Sequence, residues 1–210
     1  SSPYSTSVSV DGSPVEDDYG VSTINDASSD GWRKWFDASP SSTGSIGVDS
    51  PVAGATGTRY AFNDWTDGPT VNPHATLTLT GPVTLTVEYK TQFKVSFTET
   101  GLDSDASGTV VTIGGNAKTF TDLPLTDMWL DSGTTYSYES IVSAGSDKQY
   151  LRTGVTGPAS PLTASGIVNG AYKTQWSVTF QQSGVDSDAG SSTILTVGST
   201  EYTYSTFPSS

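Results

Sequence analysis

The sequence predicts an all-β protein built of tandem sandwich repeats. Three observations carry that expectation. Apolar residues alternate with polar ones, turn residues recur at roughly 8–12-residue spacing, and a block of sequence returns after 83 residues.

The alternation is clearest from Val83 onward. Val83, Leu85, Val87, Tyr89, Thr91, Phe93, Val95 and Phe97 take the odd positions, with mostly Thr, Lys, Glu, Gln and Ser between them. A strand points successive side chains to opposite faces, so this pattern buries one face over about 15 residues. No helical period competes with it. Residues 28–36, with Trp32 and Trp35 three apart, allow one helical turn.

The turns are legible from their chemistry. Val10-Asp11-Gly12-Ser13, Ile113-Gly114-Gly115-Asn116 and Val197-Gly198-Ser199-Thr200 read as three versions of one tight hairpin. Two-residue hairpin loops need positive φ, which Gly and Asp tolerate. Asp67-Gly68-Pro69, Asp131-Ser132-Gly133 and Thr156-Gly157-Pro158 mark further loops.

The repeats set the organisation. Tyr89-Lys90-Thr91-Gln92-Phe93 returns as Tyr172-Lys173-Thr174-Gln175-Trp176, and Gly101-Leu102-Asp103-Ser104-Asp105-Ala106 as Gly184-Val185-Asp186-Ser187-Asp188-Ala189. Thr112-Ile113-Gly114 then matches Thr196-Val197-Gly198, one residue later. A weaker copy opens the chain. Its hairpin is Ser9-Val10-Asp11-Gly12; Trp35-Phe36-Asp37 parallels Trp129-Leu130-Asp131, and Arg59-Tyr60-Ala61-Phe62 parallels Gln149-Tyr150-Leu151-Arg152. The expected domains are repeat 1 over 1–91, lacking its first strand; repeat 2 over 92–174; and a partial third repeat over 175–210. No Gly-, Pro- or Ser-rich linker interrupts Tyr89–Phe93, so neighbouring repeats are expected to join stiffly through one strand.

Composition removes several functions. Lys and Arg total 9 against 22 Asp and Glu, a net charge of -13. Such a chain repels polyanions, so nucleic acid and anionic membranes are poor partners. No apolar run approaches the ~18 residues that span a bilayer, so membrane insertion is not expected. Without cysteine there is no disulfide framework, and one histidine excludes a multi-histidine metal site within one chain. Aromatics at 10% supply a core that disordered acidic chains lack. Ser and Thr make up roughly a third of the chain, far above ordinary usage.

Val95-Ser96-Phe97-Thr98-Glu99-Thr100-Gly101-Leu102, the hairpin strand Thr109-Val110-Val111-Thr112, Leu123-Pro124 and Trp129-Leu130-Asp131-Ser132-Gly133 together resemble Ig-like tandem repeats of archaeal cell-surface proteins. The junction Tyr-Lys-Thr-Gln plus an aromatic is similar to the way those repeats join. Arg59-Tyr60-Ala61-Phe62-Asn63-Asp64-Trp65-Thr66-Asp67-Gly68, ending in Leu77, Val83, Leu85, Val87 and Tyr89, resembles the divergent internalin-type B-repeat. Residues 50–208 carry these likenesses. They imply extracellular Ig-like β-sandwiches used in surface layers, sheaths, fibres and adhesins, with no catalytic residue to transfer.

Candidate sites are few. Asp103 and Asp105, and Asp186 and Asp188, place carboxylates two residues apart in Gly-flanked loops, an arrangement that suits Ca2+. The competing reading is a solvated loop whose carboxylates accept backbone N–H bonds. Of the five tryptophans, Trp35, Trp129 and Trp176 sit at repeat-equivalent or strand-core positions and are expected in the core. Trp32 and Trp65 remain as platforms for a glycan. Lys90 and Lys173 recur at one position and are the lysines to watch for a covalent crosslink. His74 has no nucleophile motif around it, and the Glu residues are scattered, so no enzyme is expected. No Asn-x-Ser/Thr acceptor exists, while O-linked sugar stays open.

The expected function is structural: an extracellular, cell-surface protein that partners copies of itself in a filament, sheath or surface layer. The C-terminal segment, with Tyr172, Trp176, Val178 and Phe180, is expected to complete the open first repeat of the next copy by β-strand addition. The alternatives are an adhesin or carbohydrate-binding module, a stalk that spaces another domain, and a segment cut from a longer array.

Overall fold

The computed structural model describes residues 5–16, 23–25, 33–36, 44–75 and 79–207. Its strands are β1 (Ser5–Val10), β2 (Ser13–Pro14), β3 (Thr23–Asn25), β4 (Ile46–Val48), β5 (Val52–Ala53), β6 (Thr58–Trp65), β7 (Val87–Thr100) and β8 (Thr109–Ile113), followed by β9 (Asn116–Thr119), β10 (Leu125–Asp131), β11 (Tyr136–Tyr138), β12 (Ile141–Ser143), β13 (Lys148–Thr156), β14 (Gly166–Trp176), β15 (Leu195–Val197) and β16 (Thr200–Tyr202). Among the described residues there is no α-helix, only three short 3-10 turns, and the protein is all-β. Residues 33–36 carry no regular structure, so the helical turn is not found there; 28–32 lie outside the described residues.

The three hairpins share one register. Ser9 faces Pro14 and Val10 faces Ser13; Thr112 faces Ala117 and Ile113 faces Asn116; Thr196 faces Glu201 and Val197 faces Thr200. Each closes on a two-residue loop. Asp11 holds a φ of 48° there, and its carboxylate accepts the Ser45 amide at 2.8 Å, tying the hairpin to the approach of β4. β4 then pairs β1, Val48 opposite Val8 and Ile46 opposite Val10. β11 pairs β8 in the same way, Tyr138 opposite Val111 and Tyr136 opposite Ile113.

A second correspondence runs through the larger sheet. Val52 faces Tyr60, Tyr60 faces Thr91, and a bulge follows Phe62. Val142 faces Tyr150, Tyr150 faces Thr174, and a bulge follows Arg152. β5–β6–β7 and β12–β13–β14 are thus the same three-stranded arrangement made twice.

β7 belongs to both halves. β6 and β10 both pair at Gln92 and Phe93, so they occupy opposite edges of β7. β10 and β14 both pair at Val95 and Phe97, β14 in parallel, so they too lie on opposite edges. It follows that β6 and β14 lie one after the other along a single edge. The residues up to Phe93 complete one set of strands, and those after it begin the next. The strand starts at Val87 rather than at Val83: among the described residues, 83–86 join no strand pairing, and only the Thr86 carbonyl is held, by the Thr66 amide at 2.9 Å.

Two cores form. The larger gathers Val95, Phe97, Leu102, Val110, Val111, Ile113, Tyr138, Val142, Tyr150, Leu162, Val168 and Tyr172. The smaller holds Val8, Ile46, Val48 and Trp65, with Phe62, Leu85 and Val87 against them. Volume is exchanged between equivalent places. Gly170 leaves room for Tyr138, whose ring would collide with any Cβ there. The corresponding residues of the smaller core are Val87 and Val48, one medium side chain from each strand.

Candidate functional site

The most built feature outside the cores is the junction along β7. Arg59 on β6 donates from Nε to Gln92 Oε1 at 2.7 Å, and Gln92 Nε2 donates to Asp131 Oδ1 at 2.6 Å. The Arg59 guanidinium lies over the Trp129 ring, 4.5 Å from its centroid. Lys90 pairs Asp131 at 3.3 Å and Lys94 pairs Asp127 at 3.0 Å. The Lys94 amide donates to the Gly57 carbonyl at 2.8 Å. Residues of the first half thus grip β10 of the second through a relay of charges and amides. These ion pairs are half-exposed, each contributing about 0–1 kcal/mol, so they orient the halves more than they stabilise them.

The end of β14 repeats the first layer of this junction. Ser177 N donates to the Asp147 carbonyl at 2.8 Å, as Lys94 does to Gly57. Gln149 Nε2 donates to Gln175 Oε1 at 2.9 Å, where Arg59 meets Gln92. No described strand stands where β10 stands. In consequence Trp176 is 67% exposed, Val178 65% and Phe180 40%, whereas Val95 and Phe97 are fully buried.

This placement corrects several expectations. Trp176 and Trp35 are not core residues: both are exposed, Trp35 at 87%, because no described strand covers them. Trp129 is half-buried beneath Arg59. Trp65 is no glycan platform. It is 4% exposed, packs edge-on against His74, and its indole N–H donates to the Val71 carbonyl at 3.1 Å. Trp32 lies outside the described residues. Of the assembly candidates, Tyr172 is instead an internal core residue, 7% exposed, whose hydroxyl donates to the Glu139 carbonyl at 3.0 Å. Burial pushes that phenol up to about 12.

Asp103 and Asp105 do converge, but on an ammonium. Lys148 Nζ lies 3.3 Å from Asp103 and 2.8 Å from Asp105, and it donates to Tyr150 Oη at 2.7 Å. Hydrogen bonds from Lys148 and from Tyr150 hold the Asp105 carboxyl below its ordinary value. Bonds to Asp105, Tyr150 and Asp103 raise Lys148 in turn, against its desolvation. A cation binding this pair would have to displace Lys148. Asp186 and Asp188 lie at a 3-10 turn, and no described lysine or arginine pairs with them. Among the described residues, no group of three or more candidate metal ligands gathers. Lys90 meets Asp131 as an ion pair, and Lys173 is exposed.

His74 carried no motif in the sequence. It is 4% exposed and exchanges two backbone hydrogen bonds with Ile46. Its Nδ1 lies 2.7 Å from the Ala75 carbonyl and its Nε2 2.8 Å from Asp67 Oδ2. Both partners are acceptors, so the doubly protonated ring satisfies both. Burial opposes that charge, but the Ala75 carbonyl and the Asp67 carboxylate outweigh it and raise the pKa.

A scan against protein-family models finds no match, and searches among curated proteins and solved structures find none either.

Proposed function

We propose that this chain is a structural protein of the cell exterior, made of tandem Ig-like sandwich repeats that share strands and polymerise head to tail. The observation that carries the reading is β7. One uninterrupted strand closes one set of pairings and opens the next, and the same residues recur at the end of β14 with β13 beside them but no described counterpart of β10. A strand of 14 residues at ~3.3 Å per residue reaches about 45 Å and crosses the joint without a hinge. That suits a filament, sheath or surface layer, in which function is geometry. The acidity adds solubility in a crowded exterior, and salt or divalent cations screen its self-repulsion.

One observation favours a second reading, a glycan-binding or adhesive module: exposed Trp176 stands beside the Gln149–Gln175 amides. The joint accounts for the same residues without a ligand, and so ranks first. Negative-stain electron microscopy of the concentrated chain separates the two. Filaments or sheets that disappear in Phe180→Ser support polymerisation. Dispersed particles that bind a glycan array through Trp176 support the second reading.

A further inference from the structure

We infer that the joint between copies repeats the internal joint: residues 177–183 of one copy lie parallel to residues 83–88 of the next, with Val178 beside Val83 and Phe180 beside Leu85. The inference rests on the polymer reading above and adds to it the partner, the orientation and the register.

The template is the pairing of β7 with β14. Gly166 faces Val95, Val168 faces Phe97 and Gly170 faces Glu99, in parallel. The repeat carries Val95 and Phe97 onto Val178 and Phe180, and Gly166 and Val168 onto Val83 and Leu85. Val178-Thr179-Phe180 keeps the apolar alternation of Val95-Ser96-Phe97, so it presents the same face to a core.

Both halves of the joint are open. On the donor, Val178 and Phe180 are exposed where their counterparts are fully buried. On the acceptor, Val83 is 55% exposed and residues 83–86 pair with no strand among the described residues, only the Thr86 carbonyl accepting the Thr66 amide at 2.9 Å, whereas 166–169 pair with β7 throughout. Leu85 and Val87 already pack on the Trp65 core, so an inserted strand would extend that core rather than found a new one.

A second contact fits the same geometry. In the internal joint, Leu130 faces Phe93, and Asp131 reaches Gln92 and Lys90. Between copies, the matching surface is Trp176, Gln175 and Lys173, and the matching segment is Trp35-Phe36-Asp37. Trp35 is 87% exposed. Asp37 itself lies outside the described residues.

Only 177–183 need be donated. The acceptor already has a hairpin in β1–β2, so the donor's β15–β16 must turn away from it. Gly184, at φ 84° and with open space around it, allows that turn.

The absence of cysteine makes the register directly measurable. Thr84 and Thr179 are both exposed and would lie side by side in this joint. A disulfide needs Cα atoms within about 7 Å, a limit that one paired position meets and a two-residue slip exceeds. Thr84→Cys chain is mixed with Thr179→Cys chain under mild oxidation, and in parallel with Gln181→Cys chain. The expected result is a crosslinked heterodimer from the first mixture, at least about tenfold above the second. Polymers that crosslink equally in both mixtures, or in neither, overturn the register and leave the proposed function standing. Chains that stay monomeric overturn both. A monomer whose Thr84→Cys thiol is shielded from a soluble reagent shows that the protein's own chain fills the slot, and overturns the second copy as occupant.

Discussion

The region around Phe97 and the region around Trp65 use the same pairings to different depths. Both have a two-residue hairpin, a third strand on that hairpin, and a bulged antiparallel set beside it. Around Phe97, twelve residues are buried; around Trp65, four of the described residues are. Among the described residues, one difference is a stretch of strand. Residues 95–100 stand between β10 and β14 in the first region, and no described strand takes that place in the second. The larger core has that strand across it, and in the smaller one the matching place is an edge among the described residues.

Phe97 and Phe180 hold equivalent places and separate the two regions most sharply. Phe97→Ala removes a fully buried ring from the complete unit and should cost about 3–5 kcal/mol in urea unfolding. Phe180→Ala should change the dilute chain by less than about 0.5 kcal/mol. Equal losses would mean that the tail is already packed.

The exchanged volumes give the next test. Gly170→Val should destabilise by about 1–3 kcal/mol through its collision with Tyr138. Adding Tyr138→Val installs the Val48–Val87 pair of the smaller core. The double variant should lose less than the two single losses added together, by about 1 kcal/mol or more. Additive losses would show that the two places are not equivalent.

His74 marks the open unit, since Leu162 follows the matching proline in the complete one. Its folded pKa is raised, so its contribution is fully present below the unfolded value of about 6.5 and is lost as pH rises through the folded value. Wild-type Tm should therefore fall relative to His74→Leu as pH rises above about 6.5. Parallel curves would deny the charged ring.

Lys148 marks the complete unit and gives the smallest effect. Asp105 is lowered, so its contribution is present above the unfolded value of about 3.9 and is lost as pH falls through the folded value. Lys148→Met should flatten the acid limb of Tm against pH. An unchanged limb would show that solvent screens the cluster.

The strands were legible because period two and Gly-bearing turns are local signals. The strand across the junction was legible for the same reason, in Tyr89–Phe93 and its return at Tyr172–Trp176. The tryptophans were not legible. Phe93 and Trp176 hold one position, yet Phe93 lies between β6 and β10 while Trp176 has β13 on one edge and no described strand on the other. Burial there depends on an element some 35 residues further on, which no alternation encodes. Trp65 remained a glycan candidate because no repeat-equivalent or strand-core position placed it in a core. Its burial depends on His74, which the chain brings back through Asn72-Pro73. Asp103 and Asp105 were visible as a pair, but Lys148 lies more than 40 residues away and carried no motif.

Hydrogen exchange at residues 83–86 tests strand sharing most directly. In dilute chain these amides should exchange fast while those of 166–169 are protected. Concentrated chain, or an added peptide of residues 175–184, should slow them towards the rate of 166–169. Fast exchange in assembled material, or protection already present in dilute monomer, would contradict the account.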